Sequence, residues 1–174
     1  MTYITNIFRT GAVRKTPPRI IKRIAAEAGK APCKNIIEIG AGKGEITEVV
    51  LKQHIHPSNY YAFEIDPDFA RQLEQFLPPD RICIQDAFHF EQSIPADFTP
   101  CCFISSMPLS FYPRPQIAQL LGKMKDRLQP GGRILLLFHA FWLIPVLKKS
   151  LPGARIHCFA TLPLYFLLVY EHAE

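Results

Sequence analysis

Asn35 to Val49, NIIEIGAGKGEITEV, carries apolar residues into three glycines at alternate positions, Gly40, Gly42 and Gly44, and then into a helix-forming run. The pattern predicts a buried strand that stops, turns sharply and re-enters as a helix. Glycine suits such a turn because it adopts backbone angles closed to other residues and has no Cβ to hold a ligand away. The turn's peptide groups are then free to approach a small molecule at the mouth of a parallel sheet, where open α/β folds bind ligands.

Two cofactor classes use this device. The nicotinamide fingerprint G-x-G-x-x-G sets a third glycine for helix packing beside a pyrophosphate. Here that place holds Glu45, a carboxylate unsuited to a pyrophosphate at a helix start. The spacing present, E-x-G-x-G-x-G from Glu38 to Gly44, resembles motif I of class I S-adenosylmethionine-dependent methyltransferases.

Outward from this turn the chain alternates strand and helix signals. Upstream, Thr10–Arg14 and Pro17-Pro18 read as extended or turning. From Arg19 the period becomes helical, with Ile20, Ile21, Ile24, Ala25 and Ala28 on one side and Arg19, Lys22, Arg23 and Lys30 on the rest. Downstream, Glu45–His54 reads as a helix and Tyr60–Ile65 as a second strand. That strand places Glu64 20 residues past Gly44, where an acid accepts hydrogen bonds from ribose hydroxyls; Asp66, before Pro67, is the better helix cap. Pro67–Leu77 reads as a helix and Arg81–Ile84 as a third strand leaving into Gln85-Asp86-Ala87. Asp86 there suits the exocyclic amine of adenine, with the small Ala87 leaving room beside the ring. Pro100–Ser105 is a fourth strand, followed by Ser106–Pro113. A helix over Pro115–Leu128, a turn at Pro130-Gly131-Gly132 and a strand at Arg133–His139 follow. Ala154–Ala160 and Leu162–Glu171 close the chain as two more strands. The reading is a single α/β domain over residues 1–174: a basic helical segment, 1–34, then a doubly wound, Rossmann-like sheet over 35–174, mostly parallel with an antiparallel C-terminal strand.

Charge divides the chain. Residues 1–34 hold eight Lys/Arg against one acid, net +7, while the remainder has twelve against fourteen, net −2. Such an end suits a polyanion, nucleic acid or an anionic membrane face. The five cysteines show no zinc spacing and fall mostly in apolar runs, so they read as reduced core thiols of a cytoplasmic protein, with no metal site. The greasiest stretches, Ile134–Leu147 and Ile156–Tyr170, fall short of the roughly 20 residues a bilayer span needs. Met1–Ala12 lacks the apolar core of a secretory signal.

With these residues assembled, the chain resembles a class I methyltransferase, and more narrowly the small bacterial phospholipid N-methyltransferases that act on phosphatidylethanolamine. Thr10-Gly11-Ala12-Val13, Ile37–Thr47 and Ile104–Leu109 (ISSMPL) carry the likeness. The lipid enzymes have a related S-G-L-P-L after strand four, and rRNA adenine dimethyltransferases have N-L-P-Y. This chain carries Ser106 and Leu109 in place of that Asn and Tyr, which makes nucleic acid the less expected partner. The resemblance implies S-adenosylmethionine as cofactor, held by Glu38, Gly40, Gly42, Gly44, Glu64, Ile65, Asp86, Ala87 and Ser105. It also implies an amine-bearing phospholipid as acceptor, met at the inner face of the membrane through the basic N-terminus. The alternatives are N-methylation of another small molecule or of RNA, and a lipid-binding module without catalysis.

Methyl transfer from a sulfonium asks chiefly for alignment and desolvation. Ser106 is a candidate to orient the amine and Tyr112 to face the methylated cation through its ring; each also reads as an ordinary backbone-capping or packing residue. His139, at the end of strand five, reads as a satisfied core histidine before it reads as a base. Phe138–Leu147 and Leu162–Tyr170 suit either buried elements or the lining of an acyl groove.

Overall fold

A computed structural model describes residues 15–173. The expectations for Thr10–Arg14, and the charges on Arg9 and Arg14, lie outside them. The described chain opens on α1 (Pro18–Ala28), whose Pro18 sits where a first-turn amide has no partner to lose. Its inner face, Ile20, Ile21, Ile24, Ala25 and Ala28, is buried as the period predicts. Next come β1 (Ile36–Ile39), α2 (Glu45–Leu51), β2 (Tyr60–Phe63), α3 (Pro67–Leu73) and β3 (Ile82–Cys83). Then follow β4 (Cys102–Ser105), α4 (Arg114–Arg127), β5 (Arg133–Phe138), α5 (Ile144–Ser150), β6 (Arg155–Phe159) and β7 (Tyr165–Glu171).

The seven strands form one sheet in the order β3-β2-β1-β4-β5-β7-β6. β1 pairs in parallel with β2 on one side and β4 on the other, so the chain reverses direction across the sheet between β1 and β4. A crevice therefore opens between the loops that leave these two strands. Only β7 is antiparallel to its neighbours, β5 and β6, which returns the β6–β7 hairpin to the same edge of the sheet as those loops. Helices cover both faces. Ile37, Phe63, Phe103 and Leu136 pack with Ile117 and Leu121 of α4 and Leu147 of α5, while Ile104, Leu135 and Leu167 pack with Ile20 and Ile24 of α1 and Val50 of α2. β1, β2, β4 and β5 are buried throughout, the mark of strands covered on both faces.

Several details depart from the sequence reading. β3 is two residues long because only Ala62 and Phe63 of β2 are opposite it. The helices after β1 and β2 end at Leu51 and Leu73, short of His54 and Leu77. The short helix α5 goes unread in the sequence: Pro145 and two turns give too little period, and its place is set by Leu147 entering the core. The cysteines are not all reduced core thiols. Cys33 and Cys101 form a disulfide with Cα atoms 5.7 Å apart, because the pairing of β1 with β4 brings together residues 68 positions apart. Cys158 is exposed rather than buried. No helix among the described residues is long and apolar enough to cross a membrane.

Candidate active site

The loops at the C-terminal ends of β1, β2, β4 and β5 enclose a cleft of about 460 Å³, within the usual range for small-molecule sites. Its floor is the glycine turn. Gly40, Gly42 and Gly44 have φ of +74°, +56° and +87°, the left-handed region that favours glycine. The amides of Gly40 and Ala41 donate to the Phe63 carbonyl at 2.9 and 3.0 Å, which folds the turn over the end of β2. A Cβ on Gly40 would meet Met107 at 3.0 Å, so the loop after β4 rests against bare backbone. A Cβ on Gly42 would meet nothing within 4 Å; that peptide faces open cleft.

Glu64 stands at the end of β2, 8% exposed, and organises this floor. Its Oε2 accepts from Gly42 N at 2.8 Å and its Oε1 from Asp66 N at 2.9 Å. The Ile65 amide is a third backbone donor to this carboxylate, whose remaining acceptor capacity is left for a hydroxyl of a ligand. Burial raises its carboxyl above the usual range, and the backbone donors only partly offset that. Asp66 caps α3 through its side chain, as its place before Pro67 predicts. Asp86 lines the same cleft, with Oδ1 taking the Phe88 amide at 3.0 Å and Oδ2 left for a donor such as an amine. Ile65, 41% exposed, and Ala87 line the wall between the two acids.

Three residues expected to hold cofactor do not line the cleft. Glu38 is fully buried, its Oε2 accepting from Thr47 at 2.5 Å and Tyr60 at 2.6 Å. Strand alternation points it at α2, so it fastens that helix under the turn. Gly44 is also buried: a Cβ there would meet the Phe76 ring at 2.7 Å, so its bareness serves packing of α2 against the end of α3. Ser105 is 2% exposed within β4, hydrogen-bonded into the sheet between β1 and β5.

The other half of the cleft is lined by the loops after β4 and β5. Ser106 Oγ donates to the Gly40 carbonyl at 2.9 Å, tying the loop after β4 to the glycine turn while its lone pairs remain to accept. Tyr112 lines the wall on the Asp86 side and packs on Phe88 with ring centroids 4.8 Å apart. Burial, then the Asp86 and Glu64 charges, raise its phenol pKa. His139 is not a core histidine. It is exposed on the cleft, its ring 3.9 Å from that of Tyr165 and its Nδ1 2.6 Å from the Leu164 carbonyl. A carbonyl accepts only, so Nδ1 carries the proton and the neutral ring's lone pair is on Nε2. Met107, Leu137, Phe138, Leu143 and Tyr165 complete an apolar wall. Thr16, Lys43 and Phe69 also line the cleft, and of these Lys43 has a local signal in the sequence, its place within the glycine turn; Glu45, the carboxylate that argues against a pyrophosphate, lines it as well.

The model of the ribosomal RNA adenine dimethylase family matches residues 15–117, from the start of the described chain through the loop after β4 into α4. That is more than half of the sequence. The chain belongs to that family. It is an S-adenosylmethionine-dependent methyltransferase. No curated protein sequence matches it. Among solved structures, the 1,6-didemethyltoxoflavin-N1-methyltransferase of Burkholderia thailandensis superposes with a TM-score of 0.73 at 13% identity, covering 99% of this chain and 87% of the other. A SAM-dependent methyltransferase from Archaeoglobus fulgidus gives 0.70 at 13%, covering 97% and 99%. TrmN from Thermus thermophilus gives 0.68 at 20%, covering 95% of this chain and 52% of its own. At these identities the likeness is one of fold.

The cleft fits the cofactor. The bare turn at Gly42, the carboxylates of Glu64 and Asp86 and the exposed side chain of Ile65 line this one cleft, and the two acids offer the acceptors that ribose hydroxyls and an adenine amine would need.

Proposed function

We propose that this enzyme methylates nitrogen on the amine headgroup of a phospholipid such as phosphatidylethanolamine. The observation that carries the reading is the acceptor wall. Beside the point where Ser106 meets the glycine turn, the lining is Met107, Leu137, Phe138, Leu143 and Tyr165, with His139 as the polar side chain at its edge. A lone amine on an apolar stem suits such a wall. An adenine edge needs donors and acceptors matched to it, and the Asn and Tyr of N-L-P-Y are Ser106 and Leu109 here.

S-adenosylmethionine supplies the electrophilic methyl; the protein must deliver a neutral amine in line with it. An ammonium with a pKa of about 10 costs about 4 kcal/mol to deprotonate at pH 7. His139 takes that proton on Nε2, while Nδ1 keeps its bond to the Leu164 carbonyl and holds the ring in place. Ser106 accepts a remaining N–H and so aims the nitrogen lone pair. The test is transfer of labelled methyl to phosphatidylethanolamine presented in vesicles and in detergent micelles, with mass-resolved products. Labelled mono- or dimethylated lipid is the expected result; label on rRNA adenine and none on lipid overturns it.

The second reading, N-methylation of adenine in RNA, is favoured by the family match itself. The basic segment 1–34 serves that reading equally well, and a salt-dependent RNA gel shift is its signature.

A further inference from the structure

We infer that the rim of the cleft is a membrane-insertion surface, with Trp142 as its reporter and the interfacial region of an anionic bilayer as its partner. The inference deepens the lipid-amine reading and rests on it for its motive, but its test does not need that amine. The rim is built from segments that the topology gathers at one edge of the sheet. The loop after β4 offers Phe111, the loop after β5 offers Phe141 and Trp142, and the β6–β7 hairpin offers Leu164; these side chains are 57%, 62%, 55% and 48% exposed. Phe111 itself lines the cleft, as do His139, Ala140, Leu143 and Pro163 from the other two segments, so all three border one mouth.

The segments hold their shape. Thr161 Oγ1 donates to the carbonyls of Pro163 at 2.7 Å and Phe159 at 3.3 Å, and His139 ties Leu164 to the end of β5. Phe141 and Trp142 brace each other edge to face at 5.5 Å. Rigid, exposed aromatic side chains around one opening mark an interaction surface, and tryptophan with phenylalanine is the pair favoured at the headgroup level of a bilayer.

Charge selects the partner. From residue 98 to residue 170 the chain contains one carboxylate, Asp126, near the end of α4 away from the mouth. Exposed cations follow on these segments or reach them instead: Arg114 three residues beyond Phe111, Lys148 and Lys149 in the last turn of α5, and Arg19, whose guanidinium donates to the Ala160 carbonyl at the base of the hairpin. Rim segments that carry apolar side chains and cations, and whose one carboxylate is Asp126, complement an anionic lipid surface. A polyanion alone, such as RNA, would account for the cations and leave the apolar rim unexplained.

Trp142 is the chain's single tryptophan, so the whole protein reports on the rim directly. With vesicles of phosphatidylglycerol, which carry no amine, Trp142 emission shifts to the blue and is quenched by brominated acyl chains. Phe141→Ser weakens vesicle co-sedimentation about tenfold and leaves methylation of micellar amine lipid unchanged. Lys148→Glu with Lys149→Glu weakens binding to phosphatidylglycerol vesicles by a similar factor. An unchanged Trp142 spectrum in these vesicles overturns the inference, as does a blue shift that tracks protein concentration without lipid, the mark of a second copy on the rim. Vesicle binding with no lipid methylation leaves the insertion surface standing and removes the substrate reading. Methylation of micellar lipid with Trp142 unmoved does the reverse.

Discussion

At the scale of single residues, the two acids on the cleft differ in burial and so in their expected worth to a ligand. Glu64, 8% exposed, is bonded to the glycine turn itself, whereas Asp86 is open to solvent. A hydrogen bond to a charged group contributes about 1.5–3 kcal/mol, more where water competes less. Glu64→Gln should therefore weaken S-adenosylmethionine binding at least tenfold, and Asp86→Asn by less, measured by calorimetry; equal losses would contradict this ranking. Glu38 acts beneath the site. Burial first, then the Glu64 charge, raise its pKa to about 7 against the hydrogen bonds from Thr47 and Tyr60. The folded state thus holds a proton that the unfolded chain releases near 4.5. The stabilisation is complete below pH 4.5 and is lost as pH rises toward 7, on the order of 3 kcal/mol at most. Glu38→Gln should flatten the fall in Tm between pH 5 and pH 8, read by calorimetry at matched ionic strength.

At the scale of elements, α1 is fastened to the sheet by a buried charge cluster. Arg133, in β5, donates to Glu27 of α1 at 2.7 Å and to Glu171 of β7 at 2.5 Å. Glu27 also pairs with Arg23 and Lys30, each at 2.9 Å. The cluster fixes the basic helix beside the β6–β7 hairpin, where Arg19 reaches Ala160. Arg133→Met leaves Glu27 buried with only its two surface partners and should cost about 3 kcal/mol in urea unfolding. Arg133→Met with Glu27→Met should recover most of that loss, because a packed apolar pair carries no desolvation penalty. A double variant no more stable than the single would show that the helix is held by charge alone.

At the scale of the whole molecule, the sheet separates two tasks. Its β1–β2–β3 half holds the two acids on the cleft, Glu64 and Asp86, and its β4–β5–β7 half supplies an apolar wall and exposed aromatics at the mouth. Association with an anionic surface should weaken sharply between 0.1 M and 1 M salt, as the Debye length falls from about 10 Å to about 3 Å. Cofactor affinity, set by short hydrogen bonds inside the cleft, should change little. Parallel titrations by vesicle sedimentation and calorimetry separate the two.

The local grammar of the chain determined a good deal by itself. Glycines at alternate places after an apolar run dictate a strand-turn-helix, because few other residues reach those backbone angles; that, with Asp66-Pro67 and the helical period of α1, gives the alternating α/β order and puts Glu64 and Asp86 on one cleft. Those signals act within a turn or two of chain, which is why they are legible. Whether a side chain faces the cleft or the helices behind it depends on which strand lies alongside, and only the tertiary structure decided this. It turned Glu38 toward α2, set Gly44 against Phe76, closed Ser105 inside the sheet and joined Cys33 to Cys101. It also drew His139, Trp142 and Leu164 to one mouth, since strand pairing across the sheet joins residues whose sequence neighbourhoods have nothing in common.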